Sequence, residues 1–379
     1  MFDSMAAGLP RSTDVFVIGG GPAGLAAAIA ARRRGFDVTL ADCSVPPIDK
    51  ACGEGIMPDG VAAARSLGID LDDSCGLPFR GIRFCEGGES VGASFPRGHG
   101  LGLRRTALHQ LMASHAIDAG VRLVWGVNVT GIGGEGVSAD GRLVRARWIV
   151  GADGGNSPVR RWAGLDECER NSRRYGFRRH YLVEPWSEFM EIHWGDGCQL
   201  YITPVAAGEI CVVLISRDPR LRLDDALPRF PYVAERLSRA PASRERGGVS
   251  ASRRLKSVCR GRVALAGDAS GSVDAITGEG LCLLFQHAVS LARALEAGDL
   301  ALYQAEHRRI GRRPGFMADL MLLLDRRGRG AHWIRRRAIG AMASEPRLFA
   351  RMLAMHVGEL APFDFVANGL SLGWHMLTL

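Results

Sequence analysis

Residues 15–42 read VFVIGGGPAGLAAAIAARRRGFDVTLAD, and their reading decides the fold. Four apolar residues, 15–18, make a strand that runs into Gly19, Gly21 and Gly24, the G-x-G-x-x-G spacing, with an Ala-rich helix behind it. The first glycine permits a tight turn, the second lets a pyrophosphate approach the backbone, and the third lets helix and strand pack closely. Pro22 and Ala23 complete the turn, and the free N–H groups at the positive end of the helix face the phosphates. After Gly35 a second strand, 38–40, leads to Asp42, 18 residues beyond Gly24. A carboxylate there accepts hydrogen bonds from both hydroxyls of an adenosine ribose and repels a 2′-phosphate. Strand, glycines, helix, strand and acid together predict a Rossmann-like βαβ unit for a dinucleotide. They do not separate NAD from FAD, because both carry the same ADP half.

The rest of the chain bounds the answer. Its 379 residues suffice for one large or two interleaved domains, and 47% hydrophobic with 23% charged residues is ordinary for a globular protein. The net charge of +8 is carried by arginine, since Lys50 and Lys256 are the only lysines. No basic stripe is interleaved with aromatics, so nucleic acid is not the expected partner. The nine cysteines are scattered without a C-x-x-C pair and the ten histidines lack ligand spacing, which predicts reduced thiols and no metal. No secretory leader and no run of membrane-spanning length is visible, so a cytoplasmic location is expected.

Along the chain, residues 1–13 read as a lead-in tail, 61–67 as a short helix, and 79–96 as a small hairpin. A helix follows the glycines near 100, and 121–154 holds successive strands with a turn at Asp140-Gly141. Residues 174–216 supply strand-like runs taken as an antiparallel sheet, 223–246 reads as helical, and 261–296 returns to strand, loop and long helix. The remainder is helical, with arginine clusters at 326–329 and 335–337. Gly131, Gly133 and Gly136 also match G-x-G-x-x-G, but a strand and turn come after them, so this reads as a hairpin loop. The expected fold class is α/β. A Rossmann-like domain (14–78, 97–167, 255–325) is interleaved with an antiparallel-sheet substrate domain (79–96, 168–254), and a helical region (326–379) closes the chain.

Two further motifs choose the dinucleotide. VGADGGNSPVRR (150–161) sets Asp153 and Gly154 at a strand end with Ser157 and Arg160 opening a helix. VALAGDASGSVDAITGEGL (263–281) sets Gly267 and Asp268 after another apolar strand. A carboxylate at such a strand end can hold the hydroxyls of a ribityl chain, and the amides of residues 278–280, at Gly278 and Gly280, can stabilise negative charge on a reduced isoalloxazine. A protein binding only NAD needs no second carboxylate aimed at a polyol. The expected cofactor is FAD.

With these three motifs in order, the chain resembles the flavoprotein class that includes p-hydroxybenzoate hydroxylase-type monooxygenases and geranylgeranyl reductases. The resemblance implies adenosine on Asp42, Arg105 of LRRTAL near the phosphate–ribityl region with Arg104 as its alternate, and Asp268 on the ribityl chain. The element KACGEGIMP (50–58) resembles the reductase branch, which places Cys52 and Gly53 beside the flavin, with Cys52 a candidate proton donor. Ala275 stands where the class carries a proline. In the substrate sheet, His180, His193, Trp194 and Tyr201 are candidate pocket residues for a bulky hydrophobic or aromatic molecule. Alternation in FMEIHW sets Met190, Ile192 and Trp194 on one face and Glu191 and His193 on the other.

The class offers two principal reactions. The first expectation is an NADH- or NADPH-dependent monooxygenase that hydroxylates or epoxidises its substrate through a flavin C4a-hydroperoxide. The alternative is a reductase of C=C bonds in an isoprenoid or lipid-like substrate, for which the basic C-terminal helices would touch a membrane surface. A flavin halogenase and a non-catalytic flavin-binding module are weaker readings.

Overall fold

The computed structural model describes residues 8–325 and 328–360, together with 369 and 371. The βαβ unit forms as the sequence predicts. Strand Ser12–Ile18 begins within the stretch read as a tail and pairs in parallel with both Val38–Asp42 and Arg142–Gly151. Arg122–Trp125 and Val263–Leu265 extend the sheet on either side, and Cys259–Arg260 closes one edge antiparallel. The register is what gathers the motifs. Ile18 stands opposite Ala41 and Gly151, and Gly151 stands opposite Leu265. Each strand's next residues are therefore Gly19, Asp42, Ala152-Asp153 and Ala266-Gly267, all at the carboxyl edge where open α/β sheets bind ligands. Helix Pro22–Arg32 buries nearly its whole alanine-rich surface and packs on Gly280–Ala297, the helix after the third motif.

A second sheet of seven strands runs in the order Arg246–Leu255, Cys168–Tyr181, Glu209–Ser216, Cys198–Ala206, Phe189–Gly195, Gly81–Glu86, Glu89–Ser94. Its strands pair antiparallel, with one departure from expectation: Phe189–Gly195 runs parallel to Gly81–Glu86. The hairpin at 79–96 thereby joins the substrate sheet across a long gap in sequence. The faces separate with period 2. Tyr201, Val213 and Ile215 turn toward the main core, whereas Leu200, Ile202, Val212 and Leu214 turn to a second core under residues 221–237. Met190, Ile192 and Trp194 share the main-core face, while His193 bonds Glu191 on the other side.

Two further readings are corrected. The segment 223–246 is helical only at Leu223–Ala226, Leu227–Arg229 and Pro231–Leu237. Beyond these turns comes the edge strand Arg246–Leu255, whose polar RGGVSASRRL has no apolar alternation and is held by backbone pairing to Cys168–Tyr181. The strand expected at 121–129 is broken at Gly126, whose φ of 73 ends Arg122–Trp125 before Val129–Ile132 begins. The arginine cluster at 335–337 includes a buried member. Arg335 is 1% exposed, pairs with Glu86 at 2.7 Å and donates to the Leu324 carbonyl, tying helix Arg329–Ser344 to the hairpin. Arg326 and Arg327 lie outside the described residues. The decoy glycines form a hairpin loop, with Gly133 N–H donating to the Gly136 carbonyl. Among the described residues no helix is long and apolar enough to cross a membrane.

Candidate active site

The carboxyl edge of the parallel sheet and the main-core face of the seven-stranded sheet enclose a cleft of about 630 Å³. Its first wall is the glycine turn. Gly19, Gly21, Pro22 and Ala23 line it, and the N-terminus of Pro22–Arg32 has no side-chain cap, so its orphan N–H groups are free for an anion. A Cβ on Gly21 would meet nothing nearer than Arg105 Nη2 at 3.9 Å, so this glycine leaves open space beside a guanidinium. Gly24 lies outside the lining and serves packing, since its Cβ would sit 1.8 Å from the Gly19 carbonyl oxygen. Asp42 lines the cleft and is fixed by the backbone N–H groups of Gly20 (2.6 Å) and Ser44 (2.7 Å), with acceptor capacity left for a diol.

The second and third motifs meet the first. Asp153 lines the cleft, accepts from Val159 N–H at 3.0 Å, and keeps a buried Oδ1 without a partner. Burial raises its pKa. Ser157 caps the short helix by accepting from Arg160 N–H, and the buried Arg160 side chain donates to the carbonyls of Gly155 and Ala269 and to Asp166. Arg160 is thus a staple between the second and third motifs. Gly267 needs its φ of 58 and its missing Cβ, which would lie 2.4 Å from Ala23 Cβ. Asp268, half exposed, lines the cleft and pairs with Lys50 at 3.1 Å. The uncapped helix, the open space at Gly21 and the unpartnered carboxylate oxygen fit a flavin dinucleotide, with Asp42, Arg105, Asp153 and Asp268 as the side chains that would hold it.

The substrate sheet is pinned to both cofactor loops. Tyr201 donates to the Ile276 carbonyl at 2.6 Å, and Thr203 donates to the Gly53 carbonyl at 2.8 Å. Arg174, in the lining, is buried between Asp274 and Asp325. Arg178 holds Asp49 (2.9 Å) and Glu54 (2.8 Å), and Glu54 also accepts from Arg105 N–H and pairs with His180 Nε2 at 2.6 Å. Glu54 has a φ of 59, a left-handed conformation that this set of partners maintains. Glu54, His180 and Cys211 bring three ligand atoms within 4.8 Å, but the Arg178 guanidinium already supplies the positive charge there.

Of the candidate pocket residues, Tyr201 lines the cleft, as do Cys52, Gly53, Gly278 and Gly280. His180 stands behind Glu54, Trp194 packs edge-on against Phe84, and His193 stacks on Tyr232 on the far face. Arg104 and Arg105 also part company. Arg105 lines the cleft, whereas Arg104 pairs with Glu209 at 3.4 Å outside it. Sequence reasoning passed over Met190, Arg174, Arg178 and Glu279 as site residues. Glu279 stands in the GEG of the third motif, where only the backbone drew attention. Its side chain is 3% exposed in the cleft wall, Oε2 has no hydrogen-bond partner, and burial pushes its pKa up to about 8. Burial likewise raises the Cys52 thiol, whose Sγ accepts from Glu54 N–H at 3.4 Å.

The fold and this cleft define a class, the FAD-dependent oxidoreductases. Residues 12–194 match the FAD binding domain family. Menaquinone reductase of Mycobacterium tuberculosis is 29% identical over 86% of this chain and 84% of its own length, and that of Mycolicibacterium smegmatis 30% over 71% and 72%. The geranylgeranyl bacteriochlorophyll reductase-like structure from Thermoplasma acidophilum superposes with a TM-score of 0.73 at 21% identity, over 88% of this chain and 92% of that one. The chain belongs to the FAD-dependent oxidoreductase family and is an FAD enzyme.

Proposed function

We propose that the enzyme reduces a carbon–carbon double bond in an isoprenoid lipid, with NADH or NADPH as the reductant. One observation carries this reading. Where the cofactor loops meet the substrate sheet, the cleft presents Cys52 and Glu279, both pushed toward the protonated form by burial. Hydride addition to an alkene must be completed by a proton, so neutral acids suit it. The similarity to menaquinone reductases supports reduction, and a lipid quinone as the molecule to test.

Bound FAD supplies hydride chemistry in the cleft. The chain's own residues hold, enclose and protonate. Arg105 and the open helix terminus take the pyrophosphate, and Asp42 and Asp268 take hydroxyls. Met190, Val213, Ile215 and Leu283 offer an apolar wall for a hydrocarbon chain and keep water from the reacting carbons. The test is anaerobic turnover of a menaquinone dispersed in detergent, with NADPH or NADH, followed by air oxidation of the ring and mass analysis. Two hydrogens retained in the isoprenoid tail support the reading. Reduction confined to the quinone ring, or a product containing oxygen from O₂, contradicts it.

A further inference from the structure

We propose that Glu279, a buried carboxyl with an unpartnered oxygen in the cleft wall, is the residue that gives the substrate its proton; the assignment rests on the reductase reading above. The carboxyl group is placed by the turn at the start of helix Gly280–Ala297. Gly278, with a left-handed φ of 69, ends the short turn Ala275–Thr277, and Glu279 comes next as the residue before the helix. A Cβ on Gly278 would lie 3.9 Å from Met190 Cε, so the turn sits directly against the apolar wall.

Charged or titratable groups on three other elements face Glu279. Burial outweighs the charge of Arg313, on helix Leu300–Leu324, which lowers the Glu279 pKa and whose Nη2 is bonded to Asp59 Oδ2 at 3.0 Å. Asp59, on helix Pro58–Ser66, adds a like charge that favours the neutral acid, although Gln286 and Arg313 both bond it. His356, on helix Pro346–His356, has Nδ1 4.0 Å from Glu279 Oε1, but burial holds its pKa down to about 4, so it is neutral. Cys282, one turn along on the same helix, is a buried thiol raised well above its ordinary value. The Thr277 hydroxyl, two residues before it, donates instead to the Asp274 carbonyl at 3.1 Å. The free Oε2 is therefore an unpaired oxygen, at least nine-tenths buried, in the wall of the reaction cleft.

A proton donor works best with a pKa near the working pH. Glu279, at about 8, is neutral at pH 7 yet releases its proton readily. Burial moves Cys52 the wrong way, to a thiol weaker as an acid than an exposed one. The balance of the step is simple. The π bond breaks and two C–H bonds form, one from hydride and one from the Glu279 O–H, which breaks. The nicotinamide is the net electron source, and water restores the carboxyl proton.

The experiment compares holoenzyme wild type and Glu279→Gln, using NADPH or NADH and the same menaquinone. In Glu279→Gln, FAD retention and anaerobic flavin reduction should be unchanged while tail saturation falls by about 10²–10⁴-fold. Wild-type kcat/KM should fall as pH rises through about 8, and the amide variant should lose that limb. Infrared difference spectra of the holoenzyme should show a protonated-carboxyl band that titrates over the same range and is missing in Glu279→Gln. A Glu279→Gln enzyme that saturates the tail at a wild-type rate, or a carboxyl already ionised at pH 6, overturns the assignment while leaving the reductase reading intact. A wild-type enzyme that leaves the tail unreduced overturns both.

Discussion

Gly21 and Gly24 both belong to the fingerprint, and the structure keeps them glycine for different reasons. Gly24→Ala forces a Cβ to within 1.8 Å of the Gly19 carbonyl, a backbone atom that cannot swing aside. Overpacking of this kind costs about 1–3 kcal/mol, so the variant should melt several degrees lower and lose FAD with its fold. Gly21→Ala meets nothing nearer than 3.9 Å, and its φ of −68 suits alanine. That variant should melt close to wild type without ligand, yet retain FAD at least tenfold more weakly, which equilibrium dialysis would measure. Equal loss of stability in both would refute the division of labour. Glu279 gives a second prediction at this scale. Its folded pKa of about 8 exceeds its ordinary value of 4.5, so the folded state holds a proton that the unfolded state has released between those values. Stability from this residue is complete below pH 4.5 and is lost as pH rises to about 8. Melting curves of Glu279→Gln should be flatter across that window than those of wild type. The glycine spacing was legible because a turn's backbone needs are local. The environment of Glu279 was not, because helices around residues 59, 313 and 356 create it.

At the scale of elements, the loop from Asp49 to Glu54 is shaped from outside by strand Cys168–Tyr181. Arg178 reaches from that strand to both ends of the loop, and Glu54 adds bonds to Arg105 N–H and His180. Removing the Glu54 carboxylate leaves a buried guanidinium with Asp49 as its remaining carboxylate partner and frees a left-handed backbone. Glu54→Ala should cost about 1.5–3 kcal/mol and speed FAD release, because Cys52 and Gly53 lose their anchor. Unchanged melting and FAD release would show that the loop holds itself. Alternation in FMEIHW was readable from the residues alone, since a strand's faces obey period 2. The edge strand Arg246–Leu255 was not, because backbone pairing with a distant partner, rather than apolar side chains, makes it a strand. Buried arginines are equally silent in sequence: Arg174, Arg178 and Arg335 look like surface charge until their carboxylates fold against them.

At the scale of the whole molecule, interleaving brings chemistry from distant parts of the chain to one cleft. Three motifs, at 19–24, 153–160 and 267–280, converge because parallel strands in register end on the same edge. The substrate sheet then lies across them through the Tyr201, Thr203, Arg174 and Arg178 contacts. Motif order was enough to foresee this convergence and the α/β class. Substrate reactivity depends instead on which groups burial keeps neutral, and burial is a property of the assembled molecule. The central claim is that the reduced enzyme passes its electrons to a double bond and needs no oxygen to do so. The direct measurement is to reduce the enzyme anaerobically with one equivalent of NADPH or NADH, mix it with the lipid quinone whose ring has been reduced beforehand, and record flavin absorbance. The oxidised flavin spectrum should return without O₂, with one tail double bond saturated per flavin. A flavin that stays reduced until O₂ is admitted, and then yields an oxygenated product, would contradict the claim.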